Sequence, residues 1–128
     1  MPGAILDTSV FIAGEQGRPL QRPLPEQVSV SVVTVAELEL GVLAARDSDT
    51  RAQRLTTLTR VREHTAGLPA DDRVASAYAR LAAAELAAGG RPRVHDTWIA
   101  ATALVHGAQV WTQDADFTSF AAVDVVRV

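Results

Sequence analysis

The chain has 128 residues, a formal net charge of −3, 48% hydrophobic residues and 21% charged residues. That length suits one hydrophobic core, and that balance excludes a disordered or fibrous class. Cysteine is absent, which removes disulfides, thiolate nucleophiles and cysteine-held zinc; lysine is absent too, which removes a phosphate-binding P-loop and Schiff-base chemistry.

The apolar run Ala4 to Leu6 in "GAILDTSVFIAG" predicts a short buried strand ending at Asp7, then a turn or short helix stopped by Gly14. Three prolines and a glycine make "EQGRPLQRPLPEQ" a loop. Val28 to Val33 is β-branched and alternating, which favours a strand. "TVAELELGVLAARD" predicts a helix, because Leu38 and Val42 lie four apart, with Ala36 and Leu43 near the same face. A further helix is expected from about Asp49 to Glu63, with Leu55, Leu58 and Val61 at helical spacing and an arginine-rich opposite face. Gly67 and Pro69 interrupt the pattern. "DRVASAYARLAAAELAA" then has high helix propensity and ends at Gly89 and Gly90. An arginine-containing loop leads to a helix from about His95 to His106, terminated by Gly107. "AQVWT" reads as a short strand, "QDADF" as a loop and "AAVDVVRV" as a final strand. Strands alternating with helices predict an α/β fold with a parallel sheet covered on both faces, as one domain over residues 1–128.

No apolar stretch approaches the roughly 20 residues that span a bilayer, and "MPGAILDTSV" lacks a basic region ahead of its apolar segment; a cytoplasmic protein without a membrane anchor is expected. All twelve basic residues are arginine, whose planar fork suits phosphate or carboxylate. The negative net charge opposes nonspecific attraction to nucleic acid, so an enzyme acting on nucleic acid would need local positive charge or bound cations.

In a parallel sheet, ligands bind beyond the carboxyl ends of the strands, and five acids fall there. Asp7 ends the first strand, Asp114 and Asp116 follow the strand ending at Thr112, Glu37 lies one turn into the helix after the second strand, and Asp96 starts the helix after the arginine loop. Each also has a structural reading. Asp7 and Asp96 suit helix N-termini, Thr34 to Glu37 matches a capping box, and Asp114 suits an Asx turn. Gathered in one cleft, however, carboxylates raise each other's proton affinity unless a cation compensates. Oxygen-only ligands favour Mg²⁺ or Mn²⁺.

These motifs, "ILDTSVFIAG", "VTVAELELGVLAAR" and "RPRVHDTWIAATALVHGAQVWTQDADF", resemble in order and spacing the PIN-domain ribonucleases, specifically the VapC-like toxins of bacterial type II toxin–antitoxin pairs. The resemblance implies a three-layer α/β/α sandwich with a central parallel β-sheet, commonly a homodimer. It implies Asp7, Glu37, Asp96 and Asp114 as catalytic acids, which with Asp116 hold one or two Mg²⁺ or Mn²⁺ ions, and Ser9 and Thr112 as supporting hydroxyls. The implied reaction is metal-dependent hydrolysis of an RNA phosphodiester by water, leaving a 5′-phosphate and a 3′-hydroxyl, under control of a cognate antitoxin protein. His95 departs from the residue that many relatives place before the Asp. Arg91 and Arg93 follow Gly89 and Gly90 and are candidates to grip RNA phosphates; Arg51, Arg54, Arg60 and Arg62 could meet RNA or an antitoxin. Trp98 and Trp111, in apolar contexts, read as core. The alternative from another class is a non-catalytic PIN-like module that binds RNA or protein. A haloacid-dehalogenase-like phosphatase is set aside, because its D-x-D motif would need an acid where Ser9 stands and its lysine is missing.

Overall fold

The computed structural model describes residues 3–128; Met1 and Pro2, at the start of the segment on which the cytoplasmic expectation partly rests, lie outside the described residues. Five parallel strands form one sheet in the order β3-β2-β1-β4-β5: β1 (Ala4–Leu6), β2 (Val28–Ser31), β3 (Gly67–Leu68), β4 (Gln109–Thr112) and β5 (Val125–Arg127). The central strand, β1, pairs Ile5 with Val110 and Leu6 with Trp111 of β4. Successive side chains on a strand face opposite ways. Ile5 and Val110 accordingly enter a core with Val74, Leu81, Ile99 and Phe117, whereas Leu6 and Trp111 enter a second core with Val10, Val30, Leu38 and Leu58. Helices α4 (Asp72–Ala87) and α5 (Val94–His106) cover the first face; α1 (Thr8–Glu15), α2 (Val32–Leu43) and α3 (Ser48–His64) cover the second. The result is the expected three-layer α/β/α sandwich. No described helix is long and apolar enough to cross a membrane.

Several boundaries differ from expectation for local reasons. Gly14 does not stop α1, which continues to Glu15; Gly17, at φ 69°, supplies the left-handed residue beyond its end. Strand β2 stops at Ser31 instead of Val33, because the Ser31 hydroxyl accepts a hydrogen bond from Val33 N and starts α2 there. β-branched propensity is overridden by this cap. Thr34 is consequently inside the helix and fully buried, and the Thr34–Glu37 capping box does not form. Residues 67–68 form a strand on the edge, since the Gly67 backbone packs against Val32 and Val35 at distances that a Cβ would crowd. Leu55 is half exposed and lies off the apolar face of α3, where Leu58 and Val61 are buried. "QDADF" is only partly a loop, because a 3₁₀ turn runs over Ala115–Ser119. Gly107, at φ 61°, ends α5 as expected.

The arginine-rich face of α3 has a structural use. Arg54 Nη1 donates to Gly41 O at 2.7 Å, while Arg51 Nε and Nη2 donate to Val42 O at 3.3 Å and Ala45 O at 3.1 Å. These bonds satisfy carbonyls at the end of α2, a helix with no basic residue in its own last turn. Arg62 pairs with Glu39 at 3.2 Å on the surface. Of the four arginines, Arg60 remains the one at the rim of a groove between α1, α3 and the proline-rich segment.

Candidate active site

The strand order reverses at β1, with β2 on one side and β4 on the other, which opens a crevice at the carboxyl ends of these strands. Asp7 follows β1, Asp114 follows β4, and Glu37 projects from α2, which begins immediately after β2. Helix α5 returns the chain to the start of the parallel strand β4, and this brings its first turn, with Asp96, to the same edge.

Asp7 is the most enclosed acid, at 5% exposure. Its Oδ2 accepts from Ser9 Oγ at 2.7 Å, Thr112 Oγ1 at 2.9 Å and, more weakly, Ser9 N at 3.4 Å. Its other oxygen, Oδ1, takes no part in these bonds. The two hydroxyls are themselves fixed by the start of the β4 loop. Gln113 N donates to Ser9 Oγ at 3.0 Å, and Asp114 N donates to Thr112 Oγ1 at 2.9 Å. Asp7 therefore caps α1 and also ties β1 to β4, so its structural and functional readings coexist. Asp114 likewise makes an Asx turn, with its Oδ1 accepting from Asp116 N at 2.8 Å.

Glu37 is held from two sides. Thr8 Oγ1 donates to its Oε1 at 2.7 Å, and His95 Nδ1 stands 3.5 Å from its Oε2. Thr8 is a site residue that no motif of the sequence singles out; its one signal is its place beside Asp7 in "LDTS", from which its hydroxyl reaches helix α2. His95 sits at the rim, largely exposed, with its ring turned to Glu37.

Asp96 lies where these charges meet. Its carboxyl is pushed up to about 6, first by burial and then by the negative charge of Asp7, with Asp114 and Glu37 adding to the effect and Arg93 opposing it. The contacts agree with this: Thr112 joins Asp7 to the Asp114 turn, Thr8 joins the Asp7 end of β1 to Glu37, and His95, beside Asp96, faces Glu37. Asp116 is more peripheral, with its side chain 74% exposed. Among the described residues, no three histidine, aspartate or glutamate side chains stand close enough to hold one ion as a tight cluster. Each of the other four acids instead leans on a protein donor: Asp7 on Ser9 and Thr112, Glu37 on Thr8, Asp96 on Arg93 and Asp114 on the backbone N–H of Asp116.

The two loop arginines part company. Arg91 is exposed. Arg93 is turned inward to Asp96 at 3.0 Å and to the 3₁₀ turn, so its guanidinium is engaged within the protein. Neither tryptophan faces this crevice as a free platform. Trp98 stacks on Tyr78 with centroids 4.3 Å apart, and Trp111 is buried with its Nε1 donating to Gln109 Oε1 at 3.0 Å.

The donor set is all oxygen, anionic, and only partly offset by Arg93, and one oxygen of the best-anchored acid is uncommitted. Such a set suits a hard divalent cation and no soft one. Comparisons with known proteins agree in placing the chain. The PIN domain family model matches residues 4–123. The chain is similar to a protein named Ribonuclease VapC5 from Mycobacterium tuberculosis, 48% identical over 97% of this chain and 94% of the relative. It is also similar to Ribonuclease VapC4 of that species, 40% identical over 98% of this chain and 96% of the relative. Among solved structures, it resembles VapBC-5 of M. tuberculosis, a member of the VapBC family of toxin–antitoxin systems, with TM-score 0.88 and 45% identity over 99% of this chain and all of that one. FitAcB from Neisseria gonorrhoeae matches with TM-score 0.78 and 30% identity over 97% of this chain and 96% of that one.

Proposed function

Because the chain belongs to the PIN-domain family, whose model spans nearly all of it, we propose that it is a metal-dependent endoribonuclease and the toxin half of a toxin–antitoxin pair. The observation that carries this reading is the meeting of four acids at the crevice beside β1: Thr8 joins Glu37 to the Asp7 end of β1, Thr112 joins Asp7 to the Asp114 turn, and His95 brings the start of the Asp96 helix to Glu37. Relatives named as ribonucleases and a neighbour from a toxin–antitoxin family support the substrate class and the protein partner. An antitoxin and a second copy of the chain complete the proposed assembly.

In this reading Asp7, Asp96 and Asp114, too far apart to close on one ion directly, would share Mg²⁺ or Mn²⁺ partly through the waters that such an ion keeps, with Glu37 and Asp116 alongside. A bound ion supplies an acidified water and neutralises charge on the scissile phosphate. The chain's own residues do the positioning. Ser9 and Thr112 fix Asp7 through Oδ2 and leave Oδ1 for the site. Thr8 fixes Glu37 Oε1, and Oε2, which faces the His95 ring at 3.5 Å, would accept the proton that the attacking water loses. With water attacking phosphorus and the P–O3′ bond breaking, the 3′-oxygen leaves as a hydroxyl and the products carry a 5′-phosphate and a 3′-hydroxyl.

The test is cleavage of structured and unstructured RNAs by the purified protein, with Mg²⁺, with Mn²⁺ and with a chelator. Metal-dependent cuts with 5′-phosphate ends are expected; cuts that persist in chelator, or ends bearing a 2′,3′-cyclic phosphate, would refute the mechanism. Binding without cleavage in both metals would favour the non-catalytic module.

Arg91 is assigned the role of a phosphate contact at the approach to Asp96. The Arg91→Ala variant should raise KM for RNA by roughly 3- to 10-fold, leave kcat unchanged, and lower the salt slope of RNA binding by about one. Titrations at several salt concentrations check this, and an unchanged slope would remove Arg91 from the interface.

A further inference from the structure

We infer that Arg93 is a positioning residue for the metal site: an internal cation that locks the Asp96 carboxylate to the turn carrying Asp114 and Asp116. The inference rests on the metal-nuclease reading above and concerns how this chain assembles that site.

Four contacts define the lock. From the N-cap of α5, Arg93 directs Nη1 to Asp96 Oδ2 at 3.0 Å, and the same nitrogen lies 3.9 Å from Asp116 Oδ2. Its Nη2 donates to the carbonyl oxygen of Asp116 and to Ser119 Oγ at 3.0 Å. The guanidinium carbon sits 5.2 Å from the Phe120 ring centroid and 6.0 Å from that of Phe117. Both rings are buried, so they form a fixed floor beneath the cation.

The consequence is geometric. Asp96 rides on α5, whereas Asp114 and Asp116 ride on the 3₁₀ turn after β4, and Arg93 is the charged link between the two elements. With Oδ2 occupied, Asp96 is left with Oδ1 to present. Partners of this kind orient metal-binding carboxylates from behind, and losing one weakens metal affinity or activity by about 10- to 100-fold. Only a planar fork reaches Asp96 with one nitrogen and the turn with the other, so lysine is a poor replacement. A guanidinium engaged on these sides has little left for RNA, which separates Arg93 from Arg91.

The experiment measures Mn²⁺ binding without RNA, by calorimetry or by paramagnetic resonance of free Mn²⁺, for the unmodified protein, Arg93→Gln, Arg93→Lys and Ser119→Ala. Cleavage is then titrated with metal and with RNA. Arg93→Gln should weaken Mn²⁺ binding by about 10- to 100-fold, with KM for RNA at saturating Mn²⁺ and the salt slope both unchanged. Arg93→Lys should recover only part of the affinity. Ser119→Ala, which loosens the far side of the lock without touching an acid, should shift it the same way by less, and it carries the test if Arg93→Gln fails to fold. Unaltered or tighter Mn²⁺ binding in Arg93→Gln overturns the inference, and a raised KM with an altered salt slope would make Arg93 an RNA contact instead. If the unmodified protein binds and cleaves while the variants keep its Mn²⁺ affinity, this inference alone falls; if the unmodified protein binds no Mn²⁺, the metal-nuclease reading falls with it.

Discussion

Asp7→Asn should abolish RNA cleavage, lowering kcat/KM by more than about 100-fold, while the protein remains folded. The figure is a lower bound, because partners that merely orient a metal-binding group already account for about 10- to 100-fold, and Asp7 is proposed to touch the ion itself. The geometry explains why an isosteric amide cannot substitute. Asp7 Oδ2 receives two hydroxyl protons, from Ser9 and Thr112, and Oδ1 is left for the site. If the amide oxygen keeps the hydroxyl bonds, its NH₂ points a positive end to where the proposed cation would sit. If the amide flips, the NH₂ confronts two donors, and both hydroxyls must turn away from a buried group at 5% exposure. Either way the anion is lost. Folding should survive, because removing this charge also removes repulsion of Asp96. Cleavage rates with circular dichroism as the folding control check the prediction, and cleavage within tenfold of the unmodified protein would remove Asp7 from the mechanism.

A second large effect concerns pH. Asp96 has its carboxyl pushed up to about 6, by burial first and by Asp7 next. A raised folded-state value means that the folded protein holds this proton when the unfolded chain has released it. The associated stability is fully present below the ordinary value of 3.8 and is lost as pH rises through about 6. In chelator, the melting temperature should therefore fall between about pH 4 and 6.5 as Asp96 ionises. Asp96→Asn should flatten that fall and melt a few degrees above the unmodified protein at pH 7.5, a modest gain because the side chain keeps some contact with solvent. Mn²⁺ should reverse the order, raising the melting temperature of the unmodified protein at pH 7.5, leaving Asp96→Asn almost unmoved, and doing little at pH 5, where protons compete for Asp96. Melting curves across this range decide the matter; equal pH profiles for the two proteins would show that neither burial nor the other acids raise Asp96. The same carboxyl that costs stability is then the one that function retains, as expected where like charges are gathered for a task.

The acids are legible in the sequence because most of them stand at or just beyond predictable element boundaries, as with Asp7 at the end of an apolar run and Asp96 just after a glycine-bounded loop, and Glu37 lies one turn beyond the expected start of its helix. Capping chemistry is local, so the sequence by itself determined where α4 and α5 end, that the sheet is parallel, and which carboxylates lie at its carboxyl edge. Local chemistry also explains the misses. The Ser31 cap shortened β2 against its β-branched propensity and moved the start of α2 back, so that Thr34 lies inside the helix instead of capping it. The two-residue strand at Gly67 exists only because β2 offers it an edge.

What only the tertiary structure decided was how side chains were partnered. Arg51 and Arg54 read as a cationic surface but close the end of α2, and Arg93 reads like Arg91 but turns inward to Asp96. A guanidinium reaches several ångströms from its backbone, so its role depends on which carbonyls, carboxylates and rings folding brings within that reach. The strand order decides this, because pairing β1 with both β2 and β4 places residues a hundred positions apart, such as Ser9 and Thr112, in contact. No periodicity along the chain encodes such a meeting.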